Sequence, residues 1–215
     1  MIKNRRYHQG CNIAYALDVV GERWSLLLIR ELLLGPKRYG ELLKNLEGMG
    51  TNLLSTRLKE LESVGVIEKS KVDTGKRKSY SLTHLGQGLE SVLREVVRWG
   101  SQLPETVRDP KDSYRPDWDL IATKLHFRKE AAPDLEGVVV LADNETELLI
   151  NVGKNGLSFA VEPDAISNTR IEGNREALKR LITGNASYSQ LLKTKAISVS
   201  GSKTFAREWA SCFAR

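Results

Sequence analysis

The stretch Gly50-Thr51-Asn52-Leu53-Leu54-Ser55-Thr56-Arg57-Leu58-Lys59-Glu60-Leu61-Glu62-Ser63-Val64-Gly65 carries two patterns at once. Leu54, Leu58 and Leu61 recur at helical spacing and form one apolar stripe. Asn52, Ser55, Thr56 and Lys59 recur on the other side. That second face is short, polar and rich in hydrogen-bond donors, which suits base edges and phosphates in a major groove. Thr51 or Asn52 is expected to cap the helix, and Gly65 to end it. Standing alone, the same pattern would more often be an ordinary amphipathic surface helix, so its neighbours decide.

On the N-terminal side lies residues 38–46, a short helix with Leu42, Leu43 and Leu46 turned inward, joined through Glu47-Gly48-Met49-Gly50. Two short helices around a tight glycine turn match a helix-turn-helix, with 51–62 as the recognition helix. Arg38 and Tyr39, after Lys37, open the first helix, where a phosphate would be favoured. On the C-terminal side, residues 66–72 read as a strand, 73–76 as a turn around Gly75, and 77–82 as the return strand with Tyr80 and Leu82 on one face. A hairpin in that place is a wing. Lys76, Arg77 and Lys78 make a basic cluster at its tip; in this position phosphate contact is favoured over a merely solvated turn.

Further out, Ile13, Leu17 and Val20 repeat as a first helix that Gly21 ends. Residues 25–34 form a very apolar helix, broken by Gly35-Pro36. Thr83 caps a later helix, along which Leu85, Leu89, Val92, Val96, Trp99 and Leu103 repeat at alternating four and three. Part of that stripe must pack on its own core. Its length, and Trp99 near its end, point to a partner helix from a second subunit. A two-fold dimer would present two recognition helices about one DNA turn apart.

Charge supports this division. The 215 residues carry a net charge of +6, and residues 1–103 hold 17 Lys and Arg against 11 Asp and Glu, whereas 104–215 hold 16 of each. The whole excess lies in the first half, where a polyanion partner is expected. No apolar run reaches the ~20 residues of a membrane span, and the first residues show no signal core. A cytoplasmic location without membrane association is therefore expected. Two cysteines form no disulfide framework. The three histidines are scattered, with no metal-ligand spacing. No nucleophile elbow, phosphate loop or paired acid and base is present, so neither catalysis nor a cofactor is expected.

Residues 8–103 resemble the HxlR family of bacterial winged-helix regulators, relatives of the MarR family. The carriers are Cys11-Asn12-Ile13-Ala14, Ala16-Leu17-Asp18-Val19-Val20-Gly21-Glu22-Arg23-Trp24, Arg30-Glu31-Leu32 to Gly35-Pro36, and Arg38-Tyr39-Gly40-Glu41-Leu42. They continue through Leu54-Ser55-Thr56-Arg57-Leu58-Lys59-Glu60-Leu61, Gly65-Val66-Ile67, Tyr80-Ser81-Leu82-Thr83 to Gly86, and Trp99-Gly100. The resemblance implies a homodimer that binds double-stranded, palindromic operator DNA and regulates transcription, most simply as a repressor. The chain departs at Asn12, where proline is frequent, and at Met49-Gly50, where isoleucine and then serine or threonine are usual. The second departure weakens the expected cap at the start of the helix. Several members use an N-terminal cysteine as a redox or electrophile sensor, and Cys11 is its match. Its place before a helix, near Arg5 and Arg6, favours a thiolate; a buried structural thiol is the alternative.

Residues 104–117, with Pro104, Pro110 and Pro116, read as a stiff polar linker. Residues 118–215 are long enough for a second core. A helix at 118–127, antiparallel strands at 137–142, 146–152, 157–161 and 165–171, helices at 175–183 and from 188, a strand at 196–200 and a helix at 204–213 give an α+β layer. Asn155-Gly156 marks a hairpin turn. The stretch 164–213 resembles the sterol-carrier-protein type of lipid-binding fold, carried by Asn174-Arg175-Glu176-Ala177-Leu178-Lys179-Arg180-Leu181-Ile182-Thr183-Gly184-Asn185 and Ala196-Ile197-Ser198-Val199-Ser200-Gly201-Ser202. That implies a small apolar ligand acting as effector, in a cavity between sheet and helices; the alternatives are a side-chain-filled core or an extension of the dimer interface. The expected architecture is thus a mainly α winged helix-turn-helix domain followed by a sterol-carrier-like α+β domain. The competing function is a lipid or metabolite carrier whose winged helix serves protein contacts.

Overall fold

Leu54, Leu58 and Leu61 are 0, 1 and 1% exposed. The apolar stripe is the buried side of helix α4 (Thr51–Ser63), and the first unit of the chain is built over it. The computed structural model describes residues 6–70, 78–107, 109, 111–115, 117–159 and 166–213. The chain divides into two units, residues 1–103 and 104–215.

The first unit runs α1 (Asn12–Val20), α2 (Ser25–Leu32), β1 (Lys37–Arg38), α3 (Tyr39–Asn45), α4, β2 (Ile67–Ser70), β3 (Ser79–Leu82), α5 (His84–Gln87) and α6 (Leu89–Gly100). The three strands form an antiparallel sheet in the order β1-β3-β2. Residues 71–77, which include the expected wing turn, lie outside the described residues. β1 was not expected: Lys37 and Arg38 pair with Tyr80 and Ser79, and a two-residue strand has no periodicity to read. Those pairings move the start of α3 to Tyr39.

Three local features hold α4 in place. Gly50, not Thr51 or Asn52, is the N-cap residue, with φ −72° and ψ 153° and no side-chain cap. Buried Met49, whose N–H donates to the Leu46 carbonyl at 3.0 Å, fixes the turn so that the helix begins at Thr51. At the other end, Gly65 adopts φ +73°. Its N–H donates to Glu62 and that of Val66 to Leu61, a Schellman closure that favours glycine. Under the helix pair, buried Glu31 on α2 accepts from Asn45 of α3 at 2.9 Å and from Arg30 at 2.8 Å.

Ala14 and Val20 are the buried residues of α1, while Ile13 is 74% exposed and Leu17 is also exposed. Thr83 does cap α5, its Oγ accepting from the Gly86 N–H at 3.1 Å. Gly86 sits so close to β2 that a Cβ would lie 2.1 Å from the Val66 carbonyl oxygen. On α6 it is Leu93 that is buried; Leu85, Val92, Val96 and Trp99 of the expected stripe are exposed, Trp99 at 65%. Apolar periodicity reports a face to be covered, and this face is not covered within the unit.

The second unit contains α7 (Asp117–His126), β4 (Gly137–Ala142), β5 (Glu147–Gly153), β6 (Gly156–Ser158), β7 (Thr169–Gly173), α8 (Arg175–Ile182), α9 (Tyr188–Lys193), β8 (Ile197–Gly201) and α10 (Lys203–Ser211). Its sheet order is β6-β5-β4-β7-β8. The strands are not all antiparallel as expected: β7 pairs with β4 in parallel, Val139 opposite Thr169. Hairpin logic assigns neighbours by adjacency, whereas β7 returns to a strand formed earlier. β7 also starts at Thr169 rather than 165, and Ile166 is exposed. Helices and sheet enclose a core that includes Phe127, Ile150, Ile171, Leu181, Trp209 and Phe213. The rings of Trp209 and Phe213 lie 4.6 Å apart. Among the described residues, no helix is long and apolar enough to cross a membrane.

Candidate nucleic-acid interface

The solvent side of α4 holds the residues singled out from the sequence. Asn52, Thr56 and Lys59 are exposed, one turn apart along the helix. Thr56 turns its hydroxyl back to the Asn52 carbonyl at 2.9 Å. Ser55 differs: it is half-buried, 3.1 Å from the Tyr39 hydroxyl. Tyr39 also donates to the Thr51 carbonyl at 2.8 Å. A phenol has one proton, so with Thr51 as its acceptor the Ser55 hydroxyl is the donor to Tyr39. Tyr39 and Ser55 thus clasp α3 to the first turn of α4, behind the exposed face.

Arg57, the arginine of α4, faces away from that surface. It bonds Glu22 at 2.7 Å and Glu60 at 2.5 Å, and its side chain is only 13% exposed. This clasp ties α4 to the segment between α1 and α2. Lys69 on β2 reaches Glu62 of α4 at 3.0 Å and lies over the Tyr80 ring, fixing the base of the wing against the helix. Spacing in the sequence gives no sign of the Arg57–Glu22 tie, because the two stand 35 residues apart.

Around the helix, cationic side chains are spread on the surface. Arg38 is exposed beside α3, and its backbone N–H donates to Glu41 at 2.6 Å, which fixes the start of that helix. Lys78 is exposed at the entry to β3. Lys76 and Arg77, the other two of the expected wing cluster, lie outside the described residues. The missing side-chain cap at Gly50 leaves the first-turn amides of α4 to solvent or to an incoming anion.

Cys11 is exposed and is the N-cap residue of α1, its Sγ accepting from the Ala14 N–H at 3.4 Å. It is not the buried structural thiol of the alternative reading. Cys212 is that thiol: it is buried, and burial pushes it up to about 11. Among the described residues, no three His, Cys, Asp or Glu side chains are grouped to hold a metal.

Residues 19–107 match the family model of the HxlR-like helix-turn-helix. The HTH-type transcriptional regulator Rv3095 of Mycobacterium tuberculosis is 36% identical over 95 residues, which are 44% of this chain and 60% of that protein. The HTH-type transcriptional regulator YybR of Bacillus subtilis is 32% identical over 108 residues, 50% of this chain and 83% of that protein. Among solved structures, the reduced form of the transcriptional regulator YodB from Bacillus subtilis is 32% identical, with 46% of this chain and 98% of that one covered and a TM-score of 0.41. Each of these matches covers half of this chain or less.

Proposed function

The chain belongs to the HxlR-like helix-turn-helix family of transcription regulators, and we propose that it acts as a homodimeric repressor reading a palindromic operator through α4. The observation that carries the reading is the division of α4: a fully buried leucine stripe under an exposed face of Asn52, Thr56 and Lys59. Those side chains, with Arg38 and Lys78 at the sides and uncapped amides at the helix start, are the donors that base edges and phosphates require. Lys76 and Arg77 would add to the phosphate contacts. Ser55 and Tyr39 act by holding α4 at its angle.

Dimerisation is supported by Leu85, Val92, Val96 and Trp99, and by Ile13 and Leu17 on α1, which are apolar and uncovered. A stripe of this kind on a soluble chain marks a protein contact. We propose no catalysis. The protein works where its DNA is, in the cytoplasm.

The signal enters, on this proposal, through Cys11, through the second unit, or through both. Cys11 caps a helix whose exposed apolar residues are assigned to the dimer contact, so oxidation there would act on the dimer. The sterol-carrier-like reading of the second unit implies an apolar effector. The described core between its sheet and helices is packed with side chains, Ile150, Ile171 and Trp209 among them at 0% exposure. We therefore look for the effector elsewhere in that unit.

A gel shift and footprint on the DNA upstream of the chain's own gene, with sedimentation of the free protein, test the proposal. Two protected half-sites about 34 Å apart, one helical turn, and a dimer in solution are expected. A monomer that shifts no DNA would favour the carrier reading.

A further inference from the structure

β4 and β7 run parallel, so their carboxyl ends open on the same edge of the second unit's sheet. In open α/β sheets ligands bind outside the carboxyl ends of the parallel strands. A pocket of about 470 Å³ lies there, a size suited to a small molecule. Its polar lining comes from Asp143 and Asn144 after β4, Glu172 and Asn174 at the end of β7, and Lys195 and Ser198 at the start of β8.

Among the described residues, these groups are oriented and keep hydrogen-bonding capacity. Asp143 accepts from the N–H groups of Glu145 and Thr146 through one oxygen, at 2.8 and 2.6 Å, which leaves the other. Glu172 is held through one oxygen by Arg170 at 2.6 Å. Asn174 uses its carbonyl oxygen to cap α8, at 2.8 Å from the Ala177 N–H, so its amide NH₂ remains. Lys195 adds a separate observation. It closes α9 in the left-handed region, φ +56°, with its own N–H on the Leu192 carbonyl and that of Ala196 on Leu191. Glycine is the usual residue in such a closure. A lysine held there costs stability, and it lines the pocket.

The lining therefore combines two carboxylates, two side-chain amides and a lysine on three neighbouring segments, after β4, at the end of β7 and before β8. We propose that this pocket binds a small zwitterion of the amino-acid type, its ammonium on Asp143 and Glu172 and its carboxylate on Lys195 and the Asn144 and Asn174 amides. The ligand is the effector of the regulator described above, and the inference rests on that reading for its role but not for its binding.

Asp143 also gives the site a route outward. It lines a second, small crevice together with Asp119, Arg175 and Lys179. There Asp119 accepts from the Tyr114 hydroxyl and from Arg175 at 3.2 Å, and the Arg175 guanidinium lies 3.3 Å over the Tyr114 ring. Tyr114 belongs to the segment read as a linker, so its far end is fastened to the second unit. A positive group bound at Asp143 changes the field at this fastening and with it the hold on the linker.

The test uses the full chain without DNA. Calorimetric titration and thermal shift are run with the free L-amino acids, with putrescine, which has no carboxylate, with acetate and with decanoate. At least one amino acid is expected to bind saturably, and Asp143→Asn and Lys195→Gly to weaken it about tenfold each. Lys195→Gly, relieved of its strain, is expected to unfold no earlier than the parent, which separates lost binding from lost fold. The bound amino acid is also expected to change the rate of tryptic cutting at exposed Lys111 in the parent and not in Tyr114→Phe. No saturable binding of any amino acid, binding that survives both substitutions, or a response to decanoate alone overturns the assignment; an unchanged cutting rate in the parent overturns its route through Tyr114. DNA binding is scored separately, so a failure here leaves the operator reading standing, and the reverse also holds.

Discussion

The Tyr39 hydroxyl lies 3.1 Å from Ser55 Oγ and donates to the Thr51 carbonyl at 2.8 Å, so α3 holds the first turn of α4 from behind. Tyr39→Phe keeps the ring and removes both bonds. The expected cost is about 1 kcal/mol of stability, together with a several-fold weaker gel shift, because the helix loses its angle and not its face. Ser55→Ala should do less, since Tyr39 keeps Thr51. Thermal melts beside the gel shifts check both.

Arg57 follows Thr56 on α4, yet its side chain binds Glu22 and Glu60. Arg57→Met should destabilise the first unit by about 1–3 kcal/mol through the two carboxylates it leaves partly buried without a partner. Leu58→Ala, at a position 1% exposed, should cost about 2–5 kcal/mol. Denaturant titrations measure both. An Arg57 variant of unchanged stability that loses operator binding would place Arg57 on the DNA after all.

The two thiols should react very differently. Cys11 is exposed, whereas Cys212 is buried with its thiol pushed up to about 11. A thiol reagent on the native chain should modify one cysteine quickly, and Cys11→Ser should abolish that phase. If Cys11 is the sensor, the same variant should bind operator as the parent does and no longer respond to diamide. A response that persists in Cys11→Ser would end the sensing role.

Burial pushes the Asp119 carboxyl from 3.8 up to about 6, with Asp143 adding to the rise and Lys179 opposing it. The folded chain then holds this proton more tightly than the unfolded one. The group's contribution to stability is fully present below pH 3.8 and is lost as pH rises through about 6. Asp119→Asn cannot lose it. The stability of the variant relative to the parent should therefore improve between pH 4 and 6, read as the difference in melting temperature across that range. A difference that stays flat, or moves the other way, would contradict the burial of this carboxylate.

How far the sequence alone reached follows from what periodicity encodes. Leu54, Leu58 and Leu61 were readable because a helix of this length must bury one face, and only one spacing does so. Gly65 and Thr83 were readable because helix ends have few chemical solutions. Thr51 and Asn52 are good capping residues, yet Gly50 is the N-cap of α4, because buried Met49 fixes the turn and the helix starts at Thr51. Ile13 and Leu17 look like core and are exposed, since an apolar stripe is the same pattern whether its cover is the same chain or another. The Tyr39–Ser55 and Arg57–Glu22 clasps and the parallel β4–β7 pair depend on contacts distant in sequence. Tyr114 sits in a stretch whose prolines and charges read as linker, yet its ring and hydroxyl are fastened at Asp119 and Arg175.

The central claim is that the exposed side of α4 reads the operator. Its most direct measurement is a titration of labelled upstream DNA, at several salt concentrations, with the parent and with Asn52→Ala/Thr56→Ala/Lys59→Ala. The parent should bind the operator well above random DNA, with affinity falling steeply as salt rises. The triple variant, folded and as stable as the parent, should bind operator and random DNA alike. A triple variant that keeps the parent's preference for the operator would contradict the account.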